Sequence, residues 1–407
     1  MRCLVIAVLL LLLLTFVISH DTLRASPVEE LSIRYHFNLL AWESTNLPAK
    51  WLRLLGRAVF QIQETSDQRL KGALEYFRLK GEEGSLQEEL DRAAAMAGSD
   101  IADLEQLLEA TRHRINDLRP QTEETLEAAI TDVLRKEGIP FGIWGLALPP
   151  VDFALDKLPK LLIISPRERI ERIEDVLLTP ELTIQERDAL EVQAARQEGL
   201  SALVTDIGGI STYPSIISAG DMRGAISIAS HEWLHHYLFF HPLGQNYHRD
   251  ADMSSLNETT ANIFSEELMD LVFTSLTGGE SPQVSIGFPT ETCPDEQFCL
   301  DRELRETRLL VDELLAEGWV EEAEEYMELR RQVFVKNGYY IRKLNQAYFA
   351  FHGTYADSPS SVSPIYEQLQ TVRRASQSIR EFIQVMAGIS SYDEFTDLLQ
   401  DLSGDSE

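Results

Sequence analysis

The chain has 407 residues, of which 44% are hydrophobic and 25% charged, enough apolar material for a globular protein of two or three domains. Its formal net charge of -30 excludes nucleic acid as a partner, since a polyanion would be repelled at any approach.

The first element is an apolar run from Leu4 to Ile18 behind Met1-Arg2, followed by polar sequence from Ser19. About fifteen residues suit the core of a signal peptide and fall short of the roughly 20 that cross a bilayer. Residues 1–20 are expected to export the chain. They are then either removed, with Val17 and Ser19 offering a tolerable cleavage site, or kept as a single N-terminal membrane anchor. No later segment is apolar enough to span a membrane, so the expected product is extracytoplasmic, secreted or anchored.

Residues 21–140 read as a helical domain. Apolar residues recur at spacings of three and four, with punctuation at Thr65-Ser66, Gly84-Ser85, Gly98-Ser99 and Pro120. Residues 141–280 change texture. Pro149-Pro150 and the apolar run Lys160 to Ile164 are followed by the capping box Thr183-Ile184-Gln185-Glu186, which announces a helix. Ala202 to Ile207, a Gly208-Gly209 turn and the β-rich stretch Ile210 to Ile217 then predict a hairpin just ahead of the most informative segment.

That segment is His231-Glu232-Trp233-Leu234-His235. On a helix, residues four apart are offset by about 40° and rise roughly 6 Å, so both imidazoles point the same way and can grip one ion. Glu232, one step round, faces the ion's open side, where a general base must stand to deprotonate a zinc-bound water. Five of the nine histidines (His231, His235, His236, His241 and His248) fall in this short region. Two residues compete as third ligand. His241 has the spacing of the pattern H-E-x-x-H-x-x-G-x-x-H, but Leu238 occupies the turning glycine's position. On a continuous helix His241 would sit about 15 Å along the axis from His231. The other candidate is Glu258, in Leu256-Asn257-Glu258-Thr259-Thr260-Ala261-Asn262-Ile263-Phe264, which opens the next helix. Glu266 and Glu267 lack that Asn-Glu context.

With both segments present, residues 231–264 resemble the gluzincin metallopeptidases, the thermolysin-like members in particular, in which a second helix supplies a glutamate within an N-E-x-x-x-D segment. The resemblance implies His231, His235 and Glu258 as zinc ligands, Glu232 as base, and a zincin-like core within residues 141–280. It also implies a sheet-edge strand before the active helix that pairs with the substrate backbone. The family's aspartate four residues past the ligand glutamate is Asn262 here. At that place it is expected to accept a hydrogen bond from a ligand histidine's second nitrogen, fixing the tautomer without adding charge.

Residues 281–407 read as a second helical domain. Cys293 and Cys299, in a proline-containing loop, suit a small disulfide in an oxidising compartment. A long helical stretch from Asp301 is broken near Gly318 and Gly338, and Asn345 to Tyr355 forms an aromatic helix. Ser358 to Pro364 then links to two closing helices. Zinc peptidases need a donor from outside the metal helices to hold the oxyanion, and His352 and Tyr355 are the best placed, although Tyr348, Phe351 and Tyr355 also fall at the spacing of core residues. The expected fold is α+β and mainly helical, a zincin-like core with a small sheet ahead of the active helix and helical regions on both sides. The expected function is zinc-dependent hydrolysis of a peptide or protein substrate. The alternatives are a non-catalytic envelope interaction protein with a structural or relic metal site, and a hydrolase of a non-peptide amide.

Overall fold

The computed structural model describes residues 26–46, 66–95, 101–139, 149–197, 199–279 and 298–404. The apolar run expected to direct export, and Cys293, lie outside them. The described architecture is α+β and mainly helical, with two small sheets. No described helix is long and apolar enough to cross a membrane.

After α1 (Pro27–Ser32), the helices α2 (Ser66–Ala95) and α3 (Ile101–Lys136) lie antiparallel. The Arg112 guanidinium of α3 donates to Glu83 and Gln87 of α2, each at 3.0 Å. Neither Gly84-Ser85 nor Pro120 interrupts these helices, contrary to the punctuation read from the sequence. A glycine costs a helix about 1 kcal/mol and a proline about 3. The burial of Tyr76, Leu126, Ile130 and Leu134 in the main core outweighs both.

The first sheet has the order β1-β6-β5, with β1 (Phe153–Leu155), β5 (Gly209–Ile210) and β6 (Ser215–Ile217). β6 runs parallel to β1 and antiparallel to β5. The outer edge of β1 has no strand beside it among the described residues. Two buried carboxylates of α3 take that place: the Phe153 amide donates to Glu127 and the Leu155 amide to Glu123, each at 2.9 Å.

The second sheet, β3-β2-β4, is formed by β2 (Lys160–Pro166), β3 (Glu174–Leu178) and β4 (Leu200–Asp206), all neighbours antiparallel. β2 is buried on both faces, because alternate residues enter two different cores. Leu162 and Ile164 pack with α1 and with α4 (Ile184–Ala195), which starts at the expected Thr183 capping box. Leu161 and Ile163 pack instead with Ala347 and Phe351 of the aromatic helix. The predicted hairpin is therefore corrected. β4 pairs with β2, and Gly208-Gly209 carries the chain from one sheet to the other, where β5 and β6 form their own hairpin around Ser211 to Pro214.

The helix α5 (Met222–Leu238) carries the two-histidine motif through the centre of the molecule, with Ala225, Ile226, Leu234 and Leu238 fully buried. Asp221 caps it by accepting from the Gly224 amide at 2.9 Å. A one-turn helix, α6 (Pro242–Gln245), leads to α7 (Ala251–Thr277), capped by Asp250 and ended by Gly278 at φ 67°. α5 and α7 meet through Trp233, whose ring stacks at 5.8 Å on Tyr237 and 5.9 Å on Phe264 while its indole donates to Pro149 at 2.8 Å.

The helices α8 (Leu300–Ala316) and α9 (Val320–Lys336) form a hairpin with a core of its own, broken at Gly318 and closed at Gly338 as expected. The aromatic helix is α10 (Gln346–His352). Three closing helices follow rather than two: α11 (Ile365–Ala375), α12 (Ile379–Ala387) and α13 (Tyr392–Gly404). Phe382 and Phe395 return into the core that holds α5 and α7. Cys299 is disulfide-bonded, to a partner outside the described residues.

Because the β1 amides have only helix carboxylates as acceptors, Glu123→Ala and Glu127→Ala should each cost about 1–3 kcal/mol in urea unfolding. A substitution of an exposed glutamate of α2, such as Glu88, should cost much less.

Candidate metal centre

α5 places His231 and His235 one turn apart, and α7 crosses behind them to present Glu258. The two Nε2 atoms lie 2.9 Å apart, and Glu258 Oε2 is 3.3 Å from His231 Nε2 and 3.4 Å from His235 Nε2. The three potential ligand atoms are all within 4.8 Å of one another. A tetrahedral zinc with bonds near 2.0–2.1 Å requires ligand atoms roughly 3.4 Å apart. The two histidine–glutamate spacings already meet that figure, and the imidazoles need to part by only a few tenths of an ångström. Two nitrogens and one carboxylate oxygen are a donor set that zinc accepts.

The surrounding bonds aim these ligands. The Nδ1 of His235 donates to Asn257 Oδ1 at 2.8 Å, which turns Nε2 toward Glu258. Tyr247, from the loop after α6, donates its hydroxyl to Glu258 Oε1 at 2.6 Å, so the other oxygen alone faces the imidazoles. The orienting amide was expected at Asn262, and the structure gives that place to Asn257. Asn262 lies one turn further along α7 and donates to both oxygens of Asp357, at 2.9 and 3.1 Å. The sequence signal for Asn257 was present but mute. It adjoins Glu258, yet only the crossing of α5 and α7 shows that its side chain meets His235.

Glu232 is buried at 6% exposure, one residue round α5 from His231. Its carboxylate lies against β5. A Cβ on Gly209 would fall 2.3 Å from Glu232 Oε1 and 2.8 Å from Ile228 Cγ2, so only glycine allows the strand this close. Ser211 donates to the Glu232 carbonyl at 3.3 Å. Burial pushes the Glu232 carboxyl up, and the two imidazoles offset part of that rise while Glu258 adds to it. Burial would push Glu258 up as well, but His235 and His231 prevail and hold it well below the usual carboxylate range. Burial lowers His235, and the Glu258 charge overrides it to give about 9.

Of the two expected oxyanion donors, Tyr355 reaches the centre and His352 does not. The Tyr355 ring stands 6.4 Å from that of His231, and its hydroxyl is pushed well above the usual phenol range by Glu258, burial and Glu232. Burial and Glu258 do the same to Tyr247. Both phenols are therefore protonated donors at neutral pH. His352 packs on Tyr348 at 4.3 Å and Phe351 at 5.1 Å. The competing ligand candidates are engaged elsewhere. His241 Nδ1 donates to the Tyr237 carbonyl at 2.8 Å, His248 packs on Tyr247, and Glu267 forms a two-pronged pair with Arg373. Glu266 lies near Asp357 and Asp270, and burial raises it to about 8. His236 packs on Tyr213, with burial lowering it to about 4. No family model, no curated protein and no solved structure matches the chain.

Gly209→Ala should cost about 1–3 kcal/mol of stability in urea, because the new methyl group drives into the Glu232 carboxylate. His352 gives a pH signature. Burial lowers it to about 4 from an ordinary 6.5, so its contribution to stability is complete above about pH 6.5 and is lost as the pH falls toward 4. Comparing the unfolding free energy of wild type and His352→Phe across that window should show a shallower acid decline in the variant, by roughly 1–3 kcal/mol.

Proposed function

We propose that the chain is a zinc-dependent peptidase built on a zincin-like core and exported by residues 1–20. One observation supports this reading above the rest: His231, His235 and Glu258, from two helices, converge within 4.8 Å beside the buried carboxylate of Glu232. His231, His235 and Glu258 would hold the zinc. When bound, the ion supplies Lewis-acid polarisation of the scissile carbonyl and lowers the pKa of water to about 7.

The remaining work falls to side chains of the chain itself. Glu232 takes a proton from the attacking water as the new C–O bond forms, and delivers it to the amine nitrogen as the C–N bond breaks. Tyr355 donates a hydrogen bond to the oxyanion that develops on the carbonyl oxygen, while Tyr247 keeps its hydroxyl on Glu258. β5 lies at the edge of its sheet, against Glu232, and among the described residues no strand pairs with its far side. An extended substrate can add there as a further strand, which delivers its backbone to the base and fits a peptide better than other amides.

Metal analysis of the purified protein should find one zinc per chain, and none in Glu258→Ala. Glu232→Gln should keep its zinc and lose about 10²–10⁴-fold in peptide hydrolysis. Tyr355→Phe should lower kcat by about 10²-fold with little change in KM. Stoichiometric zinc without cleavage of any peptide library would replace this reading by that of a binding protein with a structural ion.

A further inference from the structure

The loop between β2 and β3 sends a cation toward the centre. Arg172 is 27% exposed at its side chain, and its guanidinium carbon lies 5.5 Å from the centroid of the Phe351 ring. Phe351 meets Tyr355 edge-on at 6.3 Å, and Tyr355 stands 6.4 Å from His231. The side chain therefore reaches from the β3-β2-β4 sheet to the wall of the metal centre. Its charge is felt by Tyr247, Tyr355 and Glu258, which belong to three separate segments.

The guanidinium is held in place but not saturated. Nε at 2.6 Å and Nη2 at 2.5 Å both address a single oxygen, Oδ2 of Asp175. A guanidinium has five N–H donors, which form a side-on fork and an end-on fork. Asp175 occupies the first. The second, made by the two Nη atoms, has no hydrogen-bond acceptor among the described residues. A neutral carbonyl would use one arm of such a fork, whereas a carboxylate uses both and matches its charge. Asp175 serves as the brace that holds the guanidinium over the Phe351 ring.

We propose that Arg172 selects substrates carrying a carboxylate next to the scissile bond, supplied by a free C-terminus or by an Asp or Glu side chain. This rests on the peptidase reading above, which supplies the scissile bond. It also adds something that reading does not contain, a choice between acidic and neutral peptides made by a side chain outside the metal helices. A second variant separates recognition from mere support of the loop. Asp175→Asn removes the competing negative charge, and so strengthens the hold on a carboxylate if the fork is a receptor.

The test uses matched fluorogenic peptides on the full exported chain: a free C-terminal carboxylate against the C-terminal amide, and an internal Glu against Gln. The wild type should favour one carboxylate form over its neutral twin by at least 10-fold in kcat/KM, and which pair shows the effect identifies the source of the charge. Arg172→Gln should bring that ratio close to one while zinc content and the thermal midpoint hold, and Asp175→Asn should raise it several-fold. A ratio near one in the wild type, an unchanged ratio in Arg172→Gln, or a loss of both peptides equally in both variants would overturn the proposal. If no peptide is cleaved, the peptidase reading fails by that result alone. Calorimetric binding of the same peptide pairs to the native chain and to Arg172→Gln then decides the anion site, with equal affinities for the charged and neutral forms counting against it.

Discussion

A buried carboxylate facing two imidazoles organises this molecule. Glu258 sits where water cannot solvate it, and such a charge is tolerated only with partners. Those partners are His231 and His235 on one oxygen and Tyr247 on the other. The four side chains come from α5, α7 and the loop between them, so the electrostatics of one residue fix the relative placement of two core helices. The apolar contacts of Trp233 with Tyr237 and Phe264 act on the same pair of helices, with dispersion and area burial adding to the charge pairing.

The rest of the fold supports that crossing. The carboxylates Glu123 and Glu127 of α3 hold β1, β1 holds β6, and β6 holds the short strand β5 against Glu232. The second sheet serves the opposite wall. Its β2 buries alternate residues against α4 and α10, so α10 and the residues just beyond it carry Phe351 and Tyr355 toward His231, with Arg172 laid over the Phe351 ring. In the proposed chemistry these walls have different duties, the first sheet offering an edge for an extended chain and the second offering donors and a cation.

Much of this arrangement was legible in the sequence where the governing interactions are local. The i, i+4 histidines needed only helix periodicity, and the Thr183 capping box and the Gly318 and Gly338 breaks needed only the chemistry of helix ends. Pairing across the chain was harder to read. The glycine pair Gly208-Gly209 looks like a hairpin turn in any window of ten residues. It connects two sheets because β2 offers β4 a longer antiparallel edge than β5 can, and because Glu232 needs a neighbour with no side chain. Gly84 and Pro120 looked like stops because propensity is an average over solvent-exposed helices, and both helices instead pack on a core that outweighs it.

The same division runs through the centre itself. The sequence alone determined the side-chain types and their order, two imidazoles on one helix, a carboxylate between them and a glutamate on the next, since the spacing of side chains along a helix is a property of the backbone. Tertiary structure decided which amide orients His235, which phenol holds Glu258, why position 209 has no side chain and where Arg172 points. Asn257, Tyr247, Gly209 and Arg172 act through side chains or backbone on other segments, and the packing of helices and sheets around them sets those meetings. No short-range pattern records them.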